Sequence, residues 1–261
     1  MMPIKDSFLR PLWHNGPTPG KEYNFPSKAP SASSNTGDYG NQRSAQPIAT
    51  GTSVLGIKFD GGVIIAADNL VSYGSLARFQ DVQRVFEINP KTVIGAGGDY
   101  ADFQFIKRLI DDKIVEDICY DDDIVIKPKS LYTWVIRLQY YRRSWFNPLW
   151  VDMVIGGLED GVPFLGHVDL RGRAYEDYAI ATGYGKHIAI PLLREHLDGK
   201  TLPSKETALD LIKKCMEVLY YRDCRSLSTY NVIVCDKDGA VIHKDLEVNQ
   251  NWALAPLIKG Y

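Results

Sequence analysis

Two apolar runs joined by a glycine turn constrain the fold of this chain more than any other feature. The runs cover residues 53–59 and 63–68, both are rich in β-branched side chains, and Asp60-Gly61-Gly62 lies between them. An Asp-Gly pair between two such runs is among the strongest short-range signals for a β-hairpin. The sequence therefore predicts a hairpin whose two outer ends lie side by side.

The register of this hairpin depends on which residues form its loop. If Asp60-Gly61 is the loop, Thr52 lies opposite Asn69. If the loop is shifted by one residue, Thr52 lies opposite Val71. In both cases Asp68 lies within a few residues of Thr52 at one end of the ladder. Thr52 and Asp68 can be the polar ends of an ordinary core hairpin, or they can belong to one site.

A second pair of strands is predicted over residues 84–88 and 92–99, with a turn at Asn89-Pro90-Lys91. The latter strand ends in glycines, and a helical repeat of apolar residues follows at once: Phe103, Ile106, Ile110 and Ile114. Glycines between a strand and a helix allow backbone N–H groups to point at an anionic centre, either an oxyanion or a phosphate. Because the sequence contains neither a GxxxxGKS/T loop nor a full GxGxxG here, the nucleotide interpretation is weak.

Composition and charge argue against several classes of function. The net charge is −2 over 261 residues, which disfavours nonspecific binding to nucleic acid or to an anionic membrane. No apolar run approaches the roughly 18 residues of a membrane helix, and residues 1–10 lack the apolar centre of a signal peptide. The four cysteines and five histidines are scattered without metal-ligand spacing. We therefore expect reduced thiols, no metal, no cofactor, and a location in the cytoplasm or nucleus.

The chain divides into three segments of different character. Residues 1–51 contain seven prolines among many Ser, Gly and Asn residues, which predicts a largely disordered leader. Residues 52–246 carry a dense apolar pattern without an evident repeat and are expected to form one domain. Residues 247–261 follow the last predicted strand with apolar side chains and no hairpin partner. We expect this tail to dock on neighbouring subunits of an assembly.

The predicted order of elements in the domain is strands, two helices, strands, two helices and strands. Residues 131–146 show a helical apolar face, which is more typical of core than of a stacking platform for nucleic acid. A third helix is predicted over residues 185–198, and a fourth begins with Ser204 as its N-cap. Two further hairpins are predicted within residues 151–169 and 227–246. This order favours an α+β fold of two packed sheets with a helix layer outside each.

From Gly51 to about Leu246 the chain resembles the beta-type subunits of the eukaryotic 20S proteasome. The resemblance rests on a Gly-Thr junction followed in order by KFDGGVIIAAD, INPKTVIGAGGDYADF and YYRDCRS. The segments NLVSYGSLARF, NPLWVDMVIGG, ATGYG and PLLREHL are similar to those of one non-catalytic branch of that family. The resemblance implies the four-layer αββα sandwich of N-terminal-nucleophile hydrolases.

The resemblance also implies a set of site residues. In active members a threonine hydroxyl attacks the peptide bond, and the free α-amine of the same threonine acts as general base. A lysine lowers the threonine's pKa, an aspartate holds the lysine, a glycine N–H forms the oxyanion hole, and an Asp and a Ser support the amine. The corresponding positions here are Thr52, Asp68, Gly98, Asp223 and Ser226, with Arg84 in the place of the lysine.

Arg84 is the departure that decides the interpretation. A guanidinium can still pair with Asp68, but it stays protonated and cannot readily give or take a proton. Tyr184 is a second departure, because active members usually carry a small serine at that position. We therefore predict a degenerate threonine-protease site with no catalytic residues, although a tolerated Lys-to-Arg substitution remains the alternative.

The resemblance then implies a non-catalytic structural subunit of the beta ring, within a particle that degrades ubiquitin-tagged proteins. Its partners would be beta subunits of the same and the opposite ring, alpha-ring subunits and assembly chaperones, with no nucleic acid and no membrane. Its leader would be cut near Arg43-Ser44, leaving an arm before Thr52. The alternatives are an active threonine endopeptidase of the same fold and a free-standing adaptor protein.

Overall fold

The computed structural model describes residues 46–120, 125–197 and 201–253. The described residues belong to one unit, Gln46–Tyr261. Most of the predicted leader, including the cut near Arg43-Ser44, lies outside the described residues, as do residues 254–261 of the predicted tail.

Within the described ranges, thirteen strands form two antiparallel sheets. The strands of the first sheet are β1 (Ala49–Gly51), β4 (Val71–Tyr73), β5 (Leu76–Phe79), β6 (Val85–Asn89), β7 (Thr92–Asp99), β8 (Val151–Glu159), β9 (Val162–Val168) and β10 (Ala174–Glu176). Their order is β10-β9-β8-β7-β1-β4-β5, and β6 also pairs with β7. The strands of the second sheet are β2 (Val54–Phe59), β3 (Gly62–Asp68), β11 (Ala179–Ala181), β12 (Thr229–Asp236) and β13 (Gly239–Glu247), in the order β11-β2-β3-β12-β13.

In the part of the chain that the structure describes, four helices cover the outer faces of these sheets. They are α1 (Tyr100–Tyr120), α2 (Pro128–Ser144), α3 (Gly185–Leu197) and α4 (Lys205–Arg222). Helices α1 and α2 pack against the first sheet, whereas α3 and α4 pack against the second. The predicted α+β architecture, a four-layer αββα sandwich, is confirmed.

The β2–β3 hairpin has the first of the two predicted registers. Phe59 pairs with Gly62 and Val54 with Ala67, so Asp60-Gly61 forms the loop. Gly61 has a φ of 93°, a left-handed conformation that glycine adopts without strain. The Asp-Gly signal therefore predicted the hairpin, and the structure decides between the two registers that the sequence left open.

Strand β3 explains why the apolar run of this hairpin shows no alternation. All seven of its residues are buried. Ile64 and Ala66 pack with α3 and α4, whereas Val63, Ile65 and Ala67 belong to the core between the two sheets. Since both faces of a central strand in a sandwich are covered, Val63 to Ala67 are all apolar, and Asp68 at the end of the strand is its one charged residue.

The structure departs from the sequence predictions at several boundaries. The predicted leader ended at residue 51, but β1 places Ala49–Gly51 inside the first sheet. Helix α2 ends at Ser144, and Trp145 beyond it is 63% exposed. At the start of α4, in contrast, the predicted N-cap is confirmed, because the Ser204 hydroxyl accepts the Thr207 N–H at 3.3 Å. The five strands of three or four residues were missed, because so short a segment carries no readable period.

His167 on β9 is a buried histidine outside any expected site. Its ring lies 5.0 Å from that of Tyr175, and among the described residues neither ring nitrogen has a hydrogen-bond partner. Burial lowers the pKa of His167 to about 4, helped by Lys186 and Arg173 and opposed by Asp152 and Asp169. Since the folded-state pKa lies below the ordinary value, His167 stabilises the fold fully above pH 6.5. That contribution is lost as the pH falls towards 4.

The His167→Gln variant should therefore show a weaker acid sensitivity. Between pH 7 and pH 4.5 the loss of unfolding free energy should be smaller than in the unsubstituted chain by roughly 2–3 kcal/mol. Denaturant unfolding at the two pH values measures this difference. His243→Gln is the matched control, because it makes the same substitution at a histidine that is exposed on β13. Equal acid sensitivity of the His167 variant and the unsubstituted chain would contradict the prediction.

Candidate functional site

Thr52 lies where the chain crosses from one sheet to the other. Strand β1 of the first sheet ends at Gly51, and β2 of the second sheet begins at Val54. The Thr52 hydroxyl donates to the carboxylate of Asp223 at 2.5 Å. The crossing is held further by Thr182, whose hydroxyl oxygen accepts the Val54 N–H at 2.9 Å. Thr52 therefore has a fixed side chain between two sheets.

Arg84 precedes β6 and is only 1% exposed. Its guanidinium donates to the backbone oxygens of Asp68 (2.9 Å), Thr52 (2.9 Å), Ser53 (3.0 Å) and Ala96 (3.5 Å), and to the Asp68 carboxylate. A guanidinium carries five N–H groups, so each of them has an acceptor here. Arg84 thus links the residues between β1 and β2 to the end of β3 and to β7 by hydrogen bonds.

Asp68 ends β3, and its side chain is buried with that of Arg84. Its carboxylate pairs with the guanidinium and also accepts the Leu227 N–H at 3.1 Å. Burial raises the pKa of Asp68 to about 6, against the opposing effects of Arg84 and of the Leu227 N–H, and the nearby Asp223 raises it further. Arg84 is therefore the main group that keeps this carboxyl ionised near neutral pH.

Asp223 and Ser226 follow α4 and have different surroundings. Asp223 is 4% exposed and is the C-cap of α4, with its carboxylate directed to Thr52. The Ser226 hydroxyl donates to the backbone oxygens of Asp223 at 2.8 Å and Leu219 at 3.3 Å. Of this predicted pair, Asp223 thus reaches Thr52, while the Ser226 hydroxyl satisfies carbonyls at the end of the helix.

Gly98 has a strand neighbour on each side in the sheet. It pairs with Gly51 on β1 and with Val151 on β8. Its φ is 91°, and a Cβ at this position would lie 2.3 Å from the Trp150 carbonyl oxygen, so only glycine fits. A peptide that docked as an extra strand beside Gly98 would have to take the place of β1. The residues just before Thr52 therefore fill the edge that a substrate strand would need.

The β1 strand is anchored at its start by Asp99, which the sequence reasoning missed. One Asp99 carboxylate oxygen accepts the Ile48 N–H at 2.8 Å. The other accepts the N–H groups of Ala101 at 2.9 Å and Asp102 at 3.2 Å in the first turn of α1. The position of Asp99 directly before a helical repeat signalled an N-cap, but nothing in the sequence indicated its contact with residue 48.

Tyr184 lies at the start of α3 and is 57% exposed. Its glycine neighbours approach the strand crossing: a Cβ on Gly183 would lie 3.4 Å from the Thr52 carbonyl carbon, and the Gly185 N–H donates to the Ser53 hydroxyl at 2.9 Å. The Gly183-Tyr184-Gly185 turn thus packs beside Thr52, while the Tyr184 side chain is exposed.

The described residues can also be compared with the requirements of a metal site and of a membrane-spanning helix. Among them, no group of three or more His, Cys, Asp or Glu side chains is arranged to hold a metal ion. No helix in the described ranges has the length and apolar character needed to cross a bilayer. The structure brings Thr52, Asp68, Arg84, Gly98 and Asp223 together around the crossing of the two sheets.

Comparison with known proteins is consistent with this geometry. The proteasome subunit family matches residues 48–235. A Drosophila melanogaster protein named proteasome subunit beta type-4 is 49% identical over 98% of this chain and 98% of its own length. A Xenopus laevis protein of the same name is 45% identical over 94% of this chain and 98% of its own. A Saccharomyces cerevisiae protein named proteasome subunit beta type-7 is 42% identical over 83% of this chain and 85% of its own.

Proposed function

This chain belongs to the proteasome subunit family, and on that premise we propose that it is a non-catalytic structural subunit of the beta ring of the 20S core particle. Its role is to complete the ring, to wall the proteolytic chamber and to help join two half-particles. The observation that carries the non-catalytic assignment is the guanidinium of Arg84, which lies beside Thr52 and donates its hydrogen bonds to Thr52, Ser53 and Asp68.

The state of the Thr52 nitrogen depends on where the leader is cut. A threonine nucleophile of this kind uses its own α-amine as general base. A cut upstream of Gly51 would leave the Thr52 nitrogen as an amide joined to Gly51, which is part of β1. An amide nitrogen has no basic lone pair, so the Thr52 hydroxyl would then have no base in its own residue.

The environment of Arg84 supports the assignment independently. A lysine ammonium can rotate and exchange protons, whereas a guanidinium stays charged and holds a fixed fork of donors. All five N–H groups of Arg84 are engaged by acceptors of the fold. The remaining oxygens of the degenerate site, at Asp68 and Asp223, serve as acceptors for Arg84, Thr52 and Leu227.

The same proposal gives the chain its partners and its location. They are beta subunits of the same and the opposite ring, subunits of the alpha ring and assembly chaperones, in the cytoplasm and nucleus. Removal of the leader near Arg43-Ser44 by active neighbours would leave eight residues before Thr52. That arm would contain β1 and would keep the edge beside Gly98 filled.

The first residue of the mature chain tests this proposal. We expect intact-mass analysis of the chain from purified core particles to give a start near Ser44, with Gly51 still attached to Thr52. A mature chain that begins at Thr52 would contradict the non-catalytic assignment and favour an active threonine endopeptidase. A chain that purifies as a stable monomer outside any large particle would instead favour a free-standing adaptor.

A further inference from the structure

Three aromatic side chains meet where the C-terminal segment leaves the folded body. The Trp252 ring packs edge-on against Tyr221 at 5.0 Å and against Tyr220 at 5.9 Å. Both tyrosines belong to the last turn of α4. Edge-to-face pairs at these distances add to the stabilisation from buried area alone.

Hydrogen bonds hold the same segment in place. The Asn251 N–H donates to the Tyr221 hydroxyl at 2.6 Å. The Tyr220 hydroxyl and the Trp252 indole N–H both donate to the Gln250 side-chain oxygen, at 3.2 and 3.3 Å. These contacts bind the segment through its backbone, an amide side chain and an aromatic ring.

The segment is continuous with the core on its N-terminal side. Val248 is 5% exposed within the cluster formed with α3 and α4, and its N–H donates to the Ser228 carbonyl at 2.8 Å. Glu247 is the last residue of β13. Residues 248–252 of the predicted tail thus contact their own chain, and the docking of residues 247–261 on neighbouring subunits stays a prediction.

We propose that Trp252, Tyr220 and Tyr221, together with Gln250, form a clamp that fixes the point from which the remaining C-terminal residues extend to a neighbouring subunit. This inference rests on the proposed function. The clamp reduces the number of orientations that the following residues sample before they meet their partner. Ordering a segment in advance lowers the entropy lost on binding.

The position of the clamp limits the reach and the chemistry of the partner surface. Residues 253–261 follow the clamp, and nine extended residues span at most about 30 Å. Their sequence is Ala-Leu-Ala-Pro-Leu-Ile-Lys-Gly-Tyr, in which apolar side chains predominate. The partner is therefore an apolar groove on a neighbouring subunit that begins within this distance of Trp252.

The test compares Trp252→Ala with Trp252→Phe in half-particles that contain the full chain. The first readout is hydrogen exchange at the Asn251 amide, which should be roughly tenfold faster in the alanine variant because ring packing and the Tyr221 bond weaken together. Trp252→Phe keeps an aromatic ring and should stay within about twofold of the unsubstituted chain. The second readout is the rate at which half-particles join, which should fall severalfold for the alanine variant and further for a chain truncated after Trp252.

Each outcome separates the clamp from the proposed function. Unchanged exchange at Asn251 in the alanine variant would overturn the clamp, whatever the joining rate. Faster exchange with normal joining in the alanine variant would overturn the positioning role of the clamp, even if the truncated chain joins slowly. Normal joining of the truncated chain would contradict the docking of the tail on a neighbouring subunit. A chain that does not enter half-particles would contradict the proposed function, and exchange in the isolated full-length chain would then decide the clamp by itself.

Discussion

Replacing Arg84 by methionine is expected to lower the free energy of unfolding by about 3–5 kcal/mol, the usual cost of breaking a buried ion pair by removing one partner. Methionine fills much of the same space but donates no hydrogen bond. The variant leaves the buried Asp68 carboxylate unpaired and removes the donors to the carbonyls of Thr52, Ser53 and Ala96. Denaturant unfolding of the purified chain measures the loss.

The loss should depend on pH in a direction set by Asp68. Arg84 is the largest influence opposing the burial that raises the pKa of Asp68, so its removal should raise that pKa further above 6. A carboxyl whose folded-state pKa is raised stabilises the fold when protonated and loses this contribution as the pH rises. The destabilisation of Arg84→Met should therefore be smaller at pH 5 than at pH 8.

Arg173→Met is the matched control for this experiment. The Arg173 side chain is 76% exposed, and its nitrogen lies 3.6 Å from the Asp169 carboxylate. An exposed pair of this kind contributes about 0–1 kcal/mol, so its loss should be small. If Arg84→Met lowered the free energy of unfolding by as little as this control, the five hydrogen bonds of Arg84 would not contribute to stability as proposed.

The parts of this fold that could be predicted depend on contacts between residues close in sequence, whereas the parts that could not depend on contacts between distant residues. The β2–β3 hairpin and the cap of α4 depend on contacts between near neighbours, and turn and capping residues revealed them. Strand β1 has three residues, and its partners β4 and β7 lie about 20 and 50 residues further along the chain. No local pattern could have predicted those pairings.

The site shows the same division. Thr52, Asp68, Arg84, Gly98, Asp223 and Ser226 could be assigned through the resemblance to a known family. The resemblance implied that Asp223 and Ser226 both support the Thr52 amine. In the structure Asp223 accepts the Thr52 hydroxyl across 171 residues of sequence, whereas the Ser226 hydroxyl donates to carbonyls at the end of α4. The four carbonyls that engage Arg84 could not have been predicted, since every residue carries a carbonyl and the sequence does not say which of them converge.

The second large effect is expected from freeing Thr52 and changing Arg84 together. Three chains would be compared in assembled particles: one in which a cleavable fusion replaces residues 1–51 so that Thr52 becomes the first residue, one with Arg84→Lys, and one with both changes. We expect an epoxyketone probe to label the doubly changed chain alone. Labelling should be at least about 10²-fold slower with either single change, since a positioned proton-transfer group contributes roughly 10² to 10⁴ in rate.

This expectation follows because the attached leader and the Arg84 guanidinium obstruct the reaction at different atoms. With Gly51 attached, Thr52 has no amine to act as base, and β1 occupies the edge beside Gly98, so Arg84→Lys alone changes neither obstacle. With Thr52 freed but Arg84 kept, the amine and the edge become available, yet the guanidinium still donates to the Thr52 carbonyl and cannot relay a proton. Rapid labelling of the freed chain with Arg84 in place would mean that the leader alone silences the site, and that the guanidinium is a tolerated substitute for the lysine.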